Sequence, residues 1–452
     1  MEKNMSDATE PQGRSAPAVN QKSSLPAKLA KKSIAAIDAV FPGAEKHLLP
    51  MFRSYKLRLR RALWSMRTGQ GKVDSARAGK ALITVDPRSI EHCSNKEFSY
   101  GYFQGAIMDG DWDLSTKRFE DLDVYKAFEA VCKNKTSDWP ETSFYQRAIK
   151  RINEGGKPWK CATEEEFYKR CESLAELYNT IERDGYQPHS ERSADVEANE
   201  DRLDEISVAI GRTGELLFSD GAHRLAVAKL LGIKEIPVTV PVRHKEWDKF
   251  RGELLELANL QNKGLLYQPC THPDLVDIPA THSCDDRFDA IRKHLPGSSG
   301  ALLDIGCNMS YFTHRFEDEG FDCIASENAD IHLYFINKFK KANNKKFELR
   351  SGSVLEDEVI MSREYEAVLA LNIFHHFLKT EKLFIQLTNF LDNLKTRYIF
   401  LETHLHEEIQ MEEAYKKFTP EELCQFVADH TGLGGYTLIH TADDGRPLYV
   451  LK

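Results

Sequence analysis

From residue 301 to the end of the chain, short apolar runs alternate with amphipathic stretches, and this alternation leaves little choice of architecture. Apolar runs at 301–306, 321–326, 347–351, 366–372 and 397–402 are each followed by a helical pattern. Strands separated by helices run parallel, because each crossover returns the chain to the same end of the sheet, and the helices then cover its faces. The pattern breaks at the end. Residues 436–441 and 448–451 are joined by Asp443-Asp444-Gly445-Arg446, a turn composition that makes a hairpin. The expected class is α/β, with seven strands and an antiparallel terminal hairpin.

The first unit of this series carries the chemistry. In ALLDIGCNMSYFT (301–313) an apolar strand reaches Asp304, turns through Gly306 and enters an amphipathic stretch at Tyr311; the next strand ends in Glu327. A turn containing glycine lets the backbone approach a ligand. A carboxylate about 20 residues on can accept hydrogen bonds from ribose hydroxyls. This is the layout of a nucleoside-binding βαβ unit.

On these residues and the terminal hairpin, 285–452 resembles a class I S-adenosylmethionine-dependent methyltransferase, with a Rossmann-like sheet. The resemblance implies that Asp304 and the turn Gly306, Asn308 and Ser310 cradle the methionine part of S-adenosyl-L-methionine. It implies that Glu327 grips the ribose hydroxyls, that Ser353 lies near the adenine, and that Asn372 joins the cofactor set. The family's DxGxGxG reads here Asp304-Ile305-Gly306-Cys307-Asn308-Met309-Ser310, with two glycines replaced. Asparagine tolerates positive φ better than other non-glycine residues, so Asn308 can keep the turn. Ser310 narrows it and can donate a hydrogen bond. Ser353 stands where the family often has Asp.

The segment Asn372-Ile373-Phe374-His375-His376-Phe377 falls where the fourth strand meets the ligand face of an open α/β sheet. Methyl transfer is an in-line displacement, helped by alignment and by removal of a proton where the acceptor carries one. His375 and His376 are the candidate bases. The competing account is a histidine pair at a helix start, one packed and one solvated. Phe374 and Tyr311 either pack on the cofactor or belong to the core. Glu402 and His404, after the fifth strand, are candidates for the acceptor side. Adjacent histidines are poorly spaced for a metal on a helix and no HExxH occurs, so no metal is expected.

Upstream, FSDGAHRLAVAKLLGIKEIPVTV resembles the ParB/sulfiredoxin-like fold, an α+β domain that the likeness extends loosely over about 80–245. The resemblance implies that Gly221, His223 and Arg224 at a helix start bind phosphate or a nucleotide. The physics agrees: helix-start N–H groups beside His and Arg attract anions, and Ser219 or Asp220 can cap the helix. Sulfiredoxin's reactive cysteine position holds Ala222, which argues against sulfinic-acid reduction. A ParB-like role in DNA segregation calls for a helix-turn-helix domain next, and a methyltransferase-like domain follows instead. Alternatively, His223 and Arg224 pin the helix to Asp109 or Asp111.

The expected organisation is a disordered tail (1–30), a basic helical region (31–78), the ParB/sulfiredoxin-like domain (79–250), a linker (251–284) marked by Pro269, Pro273 and Pro279, and the methyltransferase-like domain (285–452). Net charge is −9, yet residues 1–70 carry 13 Lys/Arg against 5 Asp/Glu. Arg53, Lys56, Arg58, Arg60, Arg61 and Arg67, with apolar neighbours, suit either peripheral contact with anionic lipid or nucleic acid over 52–67, or packing on the next domain. Nine cysteines without a CxxC pair fit a reducing compartment. With no run of 18 apolar residues and no signal-peptide core, the expected location is cytoplasmic, with or without a peripheral membrane contact.

The function expected is S-adenosylmethionine-dependent methylation of a small-molecule, glycan or lipid-linked acceptor, with a nucleotide- or phosphate-binding module upstream. One alternative is a nucleic-acid methyltransferase or DNA-binding ParB-like protein. Against base-amine methylation, no Asp/Asn-Pro-Pro-aromatic element follows the fourth strand; NIFHHF stands there. A further alternative is a non-catalytic binding protein with a degenerate cofactor pocket.

Overall fold

The computed structural model describes residues 82–96, 98, 105–187, 205–297, 299–405 and 408–452. The expected tail (1–30) and the basic region (31–78) with its 52–67 stretch lie outside the described residues.

The amino-terminal part runs β1 (Ile83–Val85), β2 (His92–Cys93), β3 (Ala106–Met108), α1 (Asp123–Phe128), α2 (Ser143–Asn153) and α3 (Glu164–Asp184). It continues through β4 (Ser207–Ile210), β5 (Leu216–Asp220), α4 (Ala222–Leu230), β6 (Ile236–Val238), β7 (Val242–His244) and α5 (Lys245–Asn262). Strands β2-β5-β4-β7-β3 make a mixed five-stranded sheet, and β1 pairs antiparallel with β6. Strands β4 and β5 form a hairpin, antiparallel with Ile210 opposite Leu216. Helix α3 starts where its sequence says it should. Thr163 accepts from the Glu166 N–H, and Glu164, Glu165 and Glu166 place negative charge at the positive end of the helix dipole. Residues 245–262, expected to include the start of a linker, are instead the continuous helix α5, which buries Trp247, Phe250, Leu254 and Leu257. Its apolar positions 247, 250, 254 and 257 recur at helical spacing, and the prolines that marked the linker begin only at Pro269, past its end.

The carboxy-terminal part follows as α6 (Asp285–His294), β8 (Ala301–Ile305), α7 (Tyr311–Asp318), β9 (Asp322–Glu327), α8 (Asp330–Ala342), β10 (Glu348–Ser351), α9 (Glu358–Ser362) and β11 (Glu364–Leu371). It ends with α10 (Glu381–Asn393), β12 (Lys395–Glu402), α11 (Pro420–Thr431), β13 (Tyr436–Thr441) and β14 (Pro447–Leu451). The sheet order is β10-β9-β8-β11-β12-β14-β13. All pairings are parallel until β14, which runs antiparallel to both β12 and β13. Central strand β11 is buried throughout Ala367–Ala370, as a strand covered on both faces must be. Helix α11 shows how local sequence sets an end. Thr419 and Glu422 form a reciprocal capping box, Pro420 opens the helix, and Gly432 at φ +72 closes it.

The two parts share a core within the unit Thr68–Lys452. Phe250 of α5 meets Phe335 and Phe339 of α8 with ring centroids 5.8 and 5.6 Å apart, and Met309 joins the same cluster. Gly214, at φ +94, lies so close that a Cβ there would stand 2.5 Å from the Trp247 ring and 2.6 Å from Ala342. Among the described residues no helix is long and apolar enough to cross a membrane.

Removing the Phe339 ring should cost about 3–5 kcal/mol, as for other buried phenylalanines. Because the ring serves both parts, Phe339→Ala should lower the denaturant midpoint of one common transition. A shift confined to the carboxy-terminal part would refute the shared core.

Candidate functional site

The turn after β8 adopts the conformation its sequence must reconcile. Gly306, Asn308 and Ser310 take φ of +67, +54 and +60. Gly306 has a second reason to be glycine: a Cβ would sit 2.7 Å from Ile373 Cδ1 at the end of β11. The Ser310 hydroxyl, fully buried, donates to its neighbour's carbonyl, Met309 O, at 2.6 Å.

Two carboxyl groups flank this turn. Asp304 is buried and accepts from Thr313 Oγ1 at 2.6 Å; burial pushes its carboxyl up to about 6, against the pull of Thr313. Glu327 closes β9. Its Oε2 accepts from the Asn308 N–H, and its Oε1 from the N–H groups of Asn328 and Ala329, all at 3.0 Å. Burial opposes the charged form, but His332 and these backbone donors outweigh it and hold the carboxyl below the usual range. Glu327 thus straps the turn after β8 to the end of β9, and a carboxylate with four lone-pair positions still has one to offer.

Asn308 and His332 face Gln261, Asn262, Leu265, Tyr267 and Thr281 around a cavity of about 380 Å³. Asn372, at φ +52, donates from Nδ2 to the Tyr267 hydroxyl at 3.1 Å. The amide oxygens of Asn308 and Asn372 are buried without a hydrogen-bond partner. A buried acceptor left unmet costs about 1–3 kcal/mol, so both suit a ligand that brings donors. Ser353 lies elsewhere, exposed in an open groove with Arg350, Glu356 and Asp357.

His375 and His376 sit on a 3₁₀ turn after β11 with ring centroids 4.0 Å apart. The pair divides as the structural account expected. His375 is buried and pushed down to about 3 by burial, with His376, His404 and Lys379 adding to it; its Nδ1 has no partner. His376 is exposed, and partial burial and Lys379 keep it below the ordinary value. Both are therefore neutral at pH 7. His404 is buried with its ring 6.0 Å from His375.

Other candidates are engaged structurally. Both Glu402 oxygens are taken by Arg287 Nη1, at 3.1 and 3.0 Å in a buried ion pair, so this carboxylate belongs to the fold rather than to an acceptor. Tyr311 is buried with its hydroxyl on Asp285, and Phe374 lies in the sheet core. In the amino-terminal part, Gly221 begins α4 at φ +88, and a Cβ there would approach Ile206 Cα to 2.9 Å. Neither Ser219 nor Asp220 caps α4: Ser219 bonds the Phe98 backbone and Asp220 accepts from the Gly221 N–H. Arg224 is buried against Glu205 at 3.0 Å and donates to Gln187 O, so its charge is already matched. His223 is ringed by Phe128, Phe144 and Trp159, and burial with nearby Arg170 brings it down to about 4. The acidic loop pairs with another residue than expected: Arg212, not His223 or Arg224, binds Asp111 and Asp113.

Tyr267 was not foreseen. It stands in the proline-marked stretch and is brought to the site by long-range contacts; an aromatic flanked by Leu266 and Gln268 carried no periodic signal. Among the described residues, no group of three or more His, Cys, Asp or Glu side chains could hold a metal ion.

No protein-family model and no curated protein matches the chain. Solved structures similar to it include the bifunctional kinase-methyltransferase WbdD, at 20% identity over 43% of this chain and 45% of that one, with a TM-score of 0.36. The methyltransferase domain of bacterial CtHen1-CN is similar at 14% identity over 37% of this chain and 97% of that one, TM-score 0.30. The PH0226 protein from Pyrococcus horikoshii OT3 is similar at 13% identity over 37% and 88%, TM-score 0.31. The chain spans somewhat less than half the length of the WbdD structures.

Asp304 generates a pH prediction. With its folded pKa raised to about 6 from 3.8, the native state binds a proton that the unfolded chain has released between those values. Stability should therefore fall as pH rises from 4 to 6, by about 3 kcal/mol at most. Asp304→Asn, which keeps an acceptor for Thr313, should flatten that slope in denaturant midpoints measured against pH.

Proposed function

We propose that the chain is an S-adenosylmethionine-dependent methyltransferase acting on a small-molecule, glycan or lipid-linked acceptor. One observation supports this above the others. The sheet order with its reversed β14 puts the turn Asp304–Ser310, Glu327 and Asn372 at the carboxyl ends of adjacent strands, where open α/β sheets bind ligands. The residues there fit the cofactor: a carboxylate on Glu327 with a free lone pair for ribose hydroxyls, and two unmet amide oxygens for its donors.

When bound, S-adenosylmethionine supplies an electrophilic methyl group on a sulfonium. The chain's own residues supply the rest. Asp304 and the turn hold the ligand's amino-acid end, and Asn308, Glu327 and Asn372 orient it. His376, neutral and exposed, accepts the acceptor's proton at an imidazole nitrogen, while His375 supports it from the buried side. Fixing donor and acceptor in register is the larger contribution, and proton removal typically adds 10²–10⁴-fold. The upstream module is proposed to hold a phosphorylated group of the acceptor or a nucleotide. With Arg224 paired to Glu205, that role would need Glu205 to yield its partner.

Isothermal titration should show S-adenosylmethionine binding to the wild type and its loss in Asp304→Ala and Glu327→Ala. An absence of binding to the wild type, or unchanged binding in both variants, would sink the proposal. His376→Ala should bind the cofactor normally yet transfer the labelled methyl at least about 100-fold more slowly. Equal rates would remove His376 as the base.

A further inference from the structure

One side of the 380 Å³ cavity does not belong to the seven-stranded part at all. Gln261 and Asn262 end α5, and Leu265, Tyr267 and Thr281 lie in the segment after it, facing Asn308 and His332. That segment is fastened at several points. Leu266, fully buried, accepts from the Thr281 N–H and donates to Pro279 O; Gln268 Oε1 accepts from the Tyr311 N–H at the start of α7. Thr271 Oγ1 bonds His314 Nδ1 at 2.8 Å, and the Tyr267 ring meets His282 edge-on at 4.8 Å.

The Tyr267 hydroxyl is held in turn against Asn372 Nδ2. The Asn372 backbone is also fixed, its N–H donating to Glu402 O. An asparagine with its backbone and its NH₂ both tied has one direction left for its carbonyl oxygen, and Oδ1 is the buried acceptor without a partner. We propose that residues 261–282 complete the cofactor pocket, and that Tyr267 is a positioning residue which aims Asn372 Oδ1 at a hydrogen-bond donor of the cofactor. The inference rests on the methyltransferase reading above. The side chains this segment turns to the cavity, Gln261, Asn262, Leu265, Tyr267 and Thr281, include no carboxylate, lysine or arginine, which suits the uncharged nucleoside end of that ligand.

The test uses the full chain, titrated with S-adenosylmethionine and with S-adenosylhomocysteine. Tyr267→Phe, which keeps the ring and removes the hydroxyl, should leave the thermal midpoint in place and weaken both ligands up to about tenfold, the reach of one hydrogen bond. Asn372→Ala should weaken them similarly, and the double variant should bind no worse than Asn372→Ala alone. Leu265→Trp, which fills the cavity from the α5 side, should weaken binding by more than about tenfold at an unchanged midpoint. Wild-type affinity in Tyr267→Phe, additive losses in the double variant, or a loss that tracks a lowered midpoint would overturn the positioning role. Undiminished binding in Leu265→Trp would overturn the wall. A wild type that binds neither ligand removes the cofactor reading itself, and that result is read before any variant.

Discussion

The arrangement at the mouth of the site depends on one buried ion pair. Arg243 of β7 grips both oxygens of Asp274, with contacts of 2.5–2.9 Å, and Trp247 Nε1 donates to the same carboxylate at 3.0 Å. Side chains this buried repay their desolvation only when the geometry is good, and losing one partner would leave an uncompensated charge worth about 3–5 kcal/mol. The Asp274 N–H in turn donates to His272 Nδ1, and His272 Nε2 reaches Gly214 O. Through these bonds the amino-terminal part holds the 264–284 segment, and through that segment it presents Tyr267 to Asn372.

Around the nucleoside-type turn, the same economy recurs in a different form. Asn308 and Ser310 occupy left-handed positions without being glycine, a conformation that costs L-residues about 1–2 kcal/mol. Glu327 offsets this by accepting from the Asn308 N–H as well as from its own following residues. The same carboxylate thereby ties the turn after β8 to the end of β9. The neighbouring Asp304, buried against Thr313, is held in the opposite direction by that burial and kept easy to protonate.

The carboxy-terminal architecture was legible because its signals are local. Each strand is a short apolar run, each helix an amphipathic stretch, and the reversal at β14 follows from Asp443-Asp444-Gly445-Arg446 closing a hairpin. The same locality made Asp304, Gly306 and Glu327 visible, since spacing along one βαβ unit fixes where they fall. Legibility failed where long-range contacts decide. The prolines at 269, 273 and 279 read as a linker, yet they lie in a segment tied down by Arg243 and by residues of α7. Arg224 read as a free cation at a helix start, and Glu205, 19 positions away on the far side of the β4–β5 hairpin, takes it up.

The sequence by itself determined the order of strands and helices, the glycine-containing turn after β8, and the carboxylates flanking it, because backbone conformation and apolar periodicity act over a few residues. Tertiary structure alone decided which polar groups remain for chemistry. Glu402 was taken by Arg287, His375 was buried while His376 was left at the surface, and Tyr267 was delivered from a distant segment. Desolvation and pairing depend on what packs against each group, and those neighbours lie tens to hundreds of residues away in the chain.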